Sequence, residues 1–166
     1  MYIQKDNNVC GEAYHYRQGN GQQYAKIGKK CMTMRTILHE LGHSNCLAHE
    51  HNREDRNDFV KLTDKANISD HNYQVVDSSK YTTLGLLYDY ESVMHYGCPY
   101  RFKAKSAGVK DCGTGQKLSV LDVEKINSLY NCGGNASCFM NNSRRVLHLK
   151  LYFISTRLPF ISIPSG

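Results

Sequence analysis

Short apolar-rich runs open the chain: Tyr2-Ile3-Gln4, Ala13-Tyr14-His15-Tyr16 and Tyr24-Ala25-Lys26-Ile27, set apart by Gly19-Asn20-Gly21 and closed by Gly28. Runs this short between turn residues predict the strands of a small sheet. The period changes at Thr33. Met34, Ile37, Leu38 and Leu41 recur at i, i+3, i+4 and i+7, which predicts a helix with those residues on its buried face and Thr33 as its N-cap. Residues 50 to 118 carry few regular signals and read as loops. A second helix is predicted over 119 to 130, where Ser119 and Asp122 approximate a capping box and Val123, Ile126 and Tyr130 form the apolar stripe.

After Cys132 the character shifts. Gly133-Gly134 punctuates the chain, and a basic, apolar stretch follows to Gly166. Lys150, Arg157 and Pro159 interrupt it well short of the roughly 20 apolar residues a membrane span needs. The expectation is a folded domain over 1–132 and a poorly ordered tail over 133–166.

Composition narrows the function classes. With 166 residues, 40% of them hydrophobic, the chain can bury one real core, which excludes disorder throughout. The net charge of +6 is uneven, because the tail holds Arg144, Arg145, Lys150 and Arg157 and no acid. Residues 1–132 keep 17 basic against 15 acidic side chains, too balanced for a nucleic-acid-binding face. Seven cysteines, with Asn-x-Ser sequons at Asn67, Asn135 and Asn141, favour an oxidising, glycosylating compartment. No Cys-x-x-Cys occurs, which argues against a zinc ribbon or thioredoxin-type site. The first residues lack the apolar core of a signal peptide, so a secreted protein is expected to have lost it with a missing amino-terminal part.

The chemistry concentrates in His39-Glu40-Leu41-Gly42-His43-Ser44-Asn45-Cys46-Leu47-Ala48-His49. On a helix His39 and His43, four apart, share a face, and Glu40 lies beside His43 at i, i+3. Two imidazoles can then reach one zinc ion while a carboxylate sits next to it without ligating. Catalytic zinc takes three protein ligands and keeps a position open for water. His49 supplies the third if the helix stops soon after His43 and the chain turns back.

That stretch resembles the metzincin metalloproteases, and His49-Glu50-His51-Asn52-Arg53-Glu54-Asp55-Arg56-Asn57-Asp58-Phe59-Val60 narrows the resemblance to the astacin family. Only Asn57 departs from that signature, standing where the family has Asp. Tyr88-Asp89-Tyr90-Glu91-Ser92-Val93-Met94-His95-Tyr96-Gly97 is similar to the family's Met-turn, and Gly115-Gln116-Lys117 and Ile126 to Cys132 match its closing segment. The resemblance implies an α+β, two-lobed, metzincin-like catalytic domain, with a small mixed sheet, an active-site helix and a loop-rich lower lobe ending in a helix. It implies one Zn²⁺ held by His39, His43 and His49, Glu40 as general base toward water, Met94 beneath the metal, and Tyr96 as a phenol that stabilises the oxyanion. Protein or peptide substrates would pair with a sheet edge at Ala13, Tyr14, His15 and Tyr16, with Lys117 meeting acidic side chains. Cys10 and Cys31 match a family disulfide, and Cys98 with Cys112 can close a local loop. His95 is not expected to ligate, and His15, His51, His71 and His148 read as surface or core histidines.

Two departures qualify the picture. The family has Gly at position 46, where a left-handed residue ends the helix; Cys46 adopts that conformation only with strain, about 1 to 2 kcal/mol. If Asn45 took the left-handed role instead, His49 would shift by one residue. The family also begins with a strand, a helix and another strand ahead of Tyr2, so an incomplete amino-terminal lobe is expected, with Cys46, Cys132 and Cys138 left over. These departures carry the alternative of a catalytically impaired module that binds zinc and peptide without turnover.

Overall fold

The structure, a computed structural model, describes residues 1–15, 21–67, 69–130 and 132. Tyr16, Asn135, Asn141, Cys138, His148 and the tail over 133–166 therefore lie outside the described residues.

Three strands form the first sheet: β1 (Tyr2–Lys5), β2 (Gly11–Ala13) and β3 (Tyr24–Ile27), in the order β1-β3-β2. β1 runs parallel to β3 with Tyr2 opposite Tyr24, and β2 runs antiparallel to it with Glu12 opposite Lys26. The sheet is mixed, as expected. The second strand sits earlier than predicted, because Cys10, tied to Cys31 by a disulfide, anchors its start beside β3 and the chain bends at His15. β3 turns Ala25 and Ile27 inward, the period of a half-buried strand.

Helix α1 (Met34–Ser44) packs on β2 and β3. Thr33 caps it as predicted, its hydroxyl accepting from the Thr36 amide at 3.1 Å. Its predicted buried stripe needs correction. Met34 is 64% exposed and Ile37, Leu38 and Leu41 are only half-buried, whereas Glu40, Gly42, His43 and Ser44 are buried. The helix turns its polar face toward the protein because the site and the 92–96 segment lie on that side.

The stretch expected to be loops holds a short helix α2 (Arg56–Phe59) and an antiparallel pair, β4 (Val60–Leu62) with β5 (Phe102–Ala104). The two strands are far apart in the chain, so no local signal announces their pairing. Around it lies one core of Val60, Tyr73, Tyr88, Phe102 and Cys112, with the second disulfide, Cys98–Cys112, at its margin. A smaller core of Leu47, Val93 and Met94 takes in Leu38, Leu118, Ile126 and Leu129.

The last helix, α3 (Val120–Tyr130), begins at a reciprocal cap: the Asp122 amide donates to Ser119 Oγ at 2.9 Å and the Ser119 amide to Asp122 Oδ2 at 3.1 Å. Its predicted stripe is also corrected, since Val123 is 43% exposed and the buried positions are Asp122 and Lys125. Asp122 accepts from Ser92 Oγ at 2.6 Å and from the Val93 amide at 2.9 Å. α3 thus holds the segment before Met94 through a buried carboxylate as well as through the apolar contacts of Ile126 and Leu129.

Candidate active site

Cys46 settles how the third histidine arrives. Its φ is +67°, while Asn45 keeps a φ of −95° and so does not take the left-handed role. The Cys46 amide donates to the His43 carbonyl at 2.9 Å and the Leu47 amide to the Gly42 carbonyl at 3.0 Å, the two bonds of a Schellman ending. The turn therefore forms with cysteine in glycine's place, and Leu47 closes into the core beneath it.

His39, His43 and His49 converge. His49 Nε2 lies 3.1 Å from both His39 Nε2 and His43 Nε2. The far nitrogens determine the tautomers: His39 Nδ1 donates to the Val93 carbonyl at 2.8 Å and His43 Nδ1 to the Leu47 carbonyl at 2.9 Å. Each Nε2 of that pair consequently carries a lone pair aimed at the same point. Three nitrogens around one tetrahedral zinc at 2.0–2.1 Å stand about 3.3 Å apart, close to the two 3.1 Å separations, and all three ligand atoms lie within 4.8 Å of one another. Burial pushes the imidazoles down, His43 to about 3 with His39 and His15 adding to the effect, and His49 well below the usual value. They are neutral at pH 7, the form that ligates.

Glu40 lies against β2 so closely that a Cβ on Gly11 would collide with its Oε1. Glycine at 11 is what lets the carboxylate sit under the strand. Its Oε2 is buried and has no partner among the described residues. Burial first, and then the Glu12 carboxylate, push the Glu40 carboxyl up to about 7.

Met94, 1% exposed, lies under α1, where a Cβ on Gly42 would run into its Sδ. Its carbonyl accepts from the Glu50 amide at 3.2 Å, which ties the turn to the residue after His49. Tyr96 stands over the histidines, with ring centroids 4.7 Å from His49 and 6.2 Å from His39. Burial, then Tyr73 and Glu40, push its phenol up to about 12, so it stays a donor at neutral pH. His51, fully buried, holds the Tyr96 backbone: its Nδ1 accepts from the Tyr96 amide at 3.1 Å while its Nε2 donates to the Asn72 carbonyl at 3.1 Å. His95 turns away from the site, its Nε2 accepting from the Tyr88 hydroxyl at 2.8 Å.

A cleft of about 570 Å³ exposes these groups, lined on one side by Gly11, Glu12, Ala13 and His15 and on the other by Asn52, His71, Asn72 and Val76. Of the residues expected to meet substrate, Ala13 and His15 line it, Tyr14 does not, and Lys117 lies elsewhere. The sequence expectation for His15 is a place on the substrate edge, which does not foresee its contact with His43. Its Nε2 lies 2.9 Å from His43 Nδ1, a proximity that no spacing along the chain announces because a strand and a helix create it.

Residues 1–131 match the family model described as Astacin, a peptidase family. Over 125 residues the chain is 40% identical to the astacin-like metalloendopeptidase of Gallus gallus, covering 69% of this chain and 30% of that protein. It is 33% identical over 148 residues to zinc metalloproteinase nas-14 of Caenorhabditis elegans, covering 80% of this chain and 28% of that protein. The chain thus spans less than a third of the length of either relative. High choriolytic enzyme 1, a hatching enzyme zinc-protease from Oryzias latipes, has a similar solved structure, with a TM-score of 0.63 at 29% identity over 79% of this chain and 69% of that one.

Proposed function

This chain belongs to the astacin family of peptidases, and on that premise we propose that it is a zinc-dependent endopeptidase that hydrolyses peptide bonds in proteins. The observation that carries the reading is the convergence of three neutral imidazole nitrogens beside a buried, unpartnered Glu40 oxygen.

His39, His43 and His49 hold the ion. When bound, zinc polarises the scissile carbonyl and lowers the pKa of water to about 7. Glu40 takes the proton of the attacking water on Oε2 and passes it to the leaving amine, a transfer its raised carboxyl suits at neutral pH. Tyr96 donates its phenolic hydrogen to the negative charge that develops on the carbonyl oxygen, an interaction absent from the ground state. Met94 supplies the apolar floor under α1. Substrate lies extended along β2, an edge strand of the described sheet, and pairs with it through the backbone.

The alternative of a zinc- and peptide-binding module without turnover rested on Cys46 and on the expected incomplete amino-terminal lobe, and the Cys46 ground is the one that the described turn bears on. With the helix ending formed and His49 delivered, the geometry favours catalysis. An oxidising, extracellular setting is in keeping with the two disulfides and with Asn67, which is exposed in an Asn-x-Ser sequon. No helix among the described residues is long and apolar enough to cross a membrane.

The test is metal content together with cleavage of unstructured peptides. One zinc per chain, and cleavage lost both on chelation and in Glu40→Ala, is expected. Cleavage that survives both overturns the reading.

A further inference from the structure

His15 has neighbours on each ring nitrogen. Its Nε2 is 2.9 Å from His43 Nδ1, with ring centroids 4.8 Å apart, and its Nδ1 is 2.5 Å from the Tyr81 hydroxyl. The Cys46 thiol donates to its backbone carbonyl at 3.1 Å, which ties His15 to the turn that carries the chain toward His49. Three separate segments therefore meet at this one residue.

The protons can be assigned. If His43 ligates through Nε2, its single N–H is on Nδ1, and both the Leu47 carbonyl and His15 Nε2 lie 2.9 Å from it. His15 Nε2 must then be an acceptor, since a hydrogen there would face the His43 N–H donor to donor. With Nε2 accepting, the imidazole hydrogen of His15 is on Nδ1. That hydrogen points at the Tyr81 oxygen.

We propose that His15 is a positioning residue for the metal site: it accepts, with the Leu47 carbonyl, the Nδ1 hydrogen of His43, and Tyr81 holds it in the tautomer that can do so. The inference rests on the reading of His39, His43 and His49 as zinc ligands. An acceptor on the far nitrogen of a ligating imidazole orients the ring and makes its other nitrogen a better donor to the metal, and loss of such a partner typically costs 10- to 100-fold in metal affinity. Two acceptors in place of one also let His43 keep a partner if either moves.

The test is the zinc dissociation constant of the 166-residue chain, measured by competition with a chromophoric chelator. His15→Ala is expected to weaken zinc binding about 10- to 100-fold. His15→Gln, whose amide oxygen accepts, is expected to recover most of that loss. Tyr81→Phe keeps the His15 ring but removes the oxygen that selects its tautomer, and a loss of a few-fold is expected. Melting of the zinc-free proteins identifies any variant that fails to fold, and Tyr81→Phe then decides alone. Wild-type affinity in both His15→Ala and Tyr81→Phe overturns the proposal. So does a His15→Ala protein that raises KM for peptide but holds zinc as before, which makes His15 a substrate contact instead. A wild-type chain that binds no zinc refutes the metal reading itself and is told apart by that single measurement.

Discussion

Lys125, on the last helix, donates its ammonium to the Glu50 carboxylate 75 residues earlier in the chain, beside His49. The other oxygen of Glu50 accepts from Arg53 at 3.1 Å and from the Asp89 amide at 2.9 Å. With Glu50 only 3% exposed, four segments close around this one residue: the 49–53 turn, the 89 loop, the Met94 carbonyl that receives the Glu50 amide, and α3. Lys125 and Arg53 are the cations that meet Glu50.

Removing the shared acceptor leaves the buried Lys125 ammonium unmatched, while Arg53 keeps its pair with Asp55 at 2.7 Å, so Glu50→Ala is expected to destabilise the fold by about 3 to 5 kcal/mol. Lys125→Met should cost less, because Arg53 and the Asp89 amide still satisfy Glu50. Urea unfolding of the two variants checks the order; equal losses would mean that Arg53 contributes nothing to holding Glu50.

Glu40→Gln keeps the shape and the packing against Gly11 while removing the proposed base. Zinc content should stay at one per chain and kcat should fall about 100- to 10,000-fold. Metal analysis and peptide kinetics on the same preparation separate loss of the base from loss of the ion.

Tyr96→Phe removes the proposed oxyanion donor and leaves the ring over His49 and His39. A fall in kcat of about 100- to 1,000-fold with KM little changed is expected. If KM rises instead while kcat holds, Tyr96 binds substrate rather than the transition state.

Cys46→Gly relieves a left-handed cysteine. Relief of about 1 to 2 kcal/mol, offset in part by the added freedom of glycine in the unfolded chain, leaves an expected gain of about 1 kcal/mol. Cys46→Ala, which keeps the strained conformation, should show no such gain in denaturant midpoint. Equal midpoints for Gly and Ala would place the strain elsewhere.

His95 predicts a pH dependence of stability for the zinc-free chain. Burial pushes its imidazole down to about 4, below the value near 6.5 that it takes when unfolded. Between those two values the unfolded chain binds the extra proton, so stability falls as pH drops from 6.5 toward 4, by about 1.4 kcal/mol per unit for this one group. His51, pushed well below its usual value by the same burial, adds to the slope. Thermal melts at pH 7 and pH 5 without zinc test this, and a flat profile would contradict it.

What could be read along the chain was local. α1 and α3, their caps at Thr33 and Ser119, and the spacing of His39, Glu40 and His43 all follow from residues within a few positions of one another. Cys10–Cys31, implied by the family resemblance, and Cys98–Cys112, expected as a local loop closure, are both present. Burial was less legible. The apolar stripes on α1 and α3 mark faces that can be covered, but Met34 and Val123 stay exposed while Glu40, His43, Asp122 and Lys125 are buried. A side chain's burial depends on what folds over it, and those covers come from distant segments.

By itself, then, the sequence determined the proposed chemistry: three imidazoles and a carboxylate, two of the imidazoles at helical spacing, are a set suited to holding zinc and moving a proton. Tertiary structure decided who else attends. The acceptance of cysteine at the helix end, the Lys125 partner for Glu50, the seat of Glu40 under Gly11, and the arrival of His15 and Tyr81 behind His43 all depend on segments that are separate in the chain. Short-range spacing is dictated by helix geometry, whereas these contacts exist only once a strand, a helix and two loops have packed together.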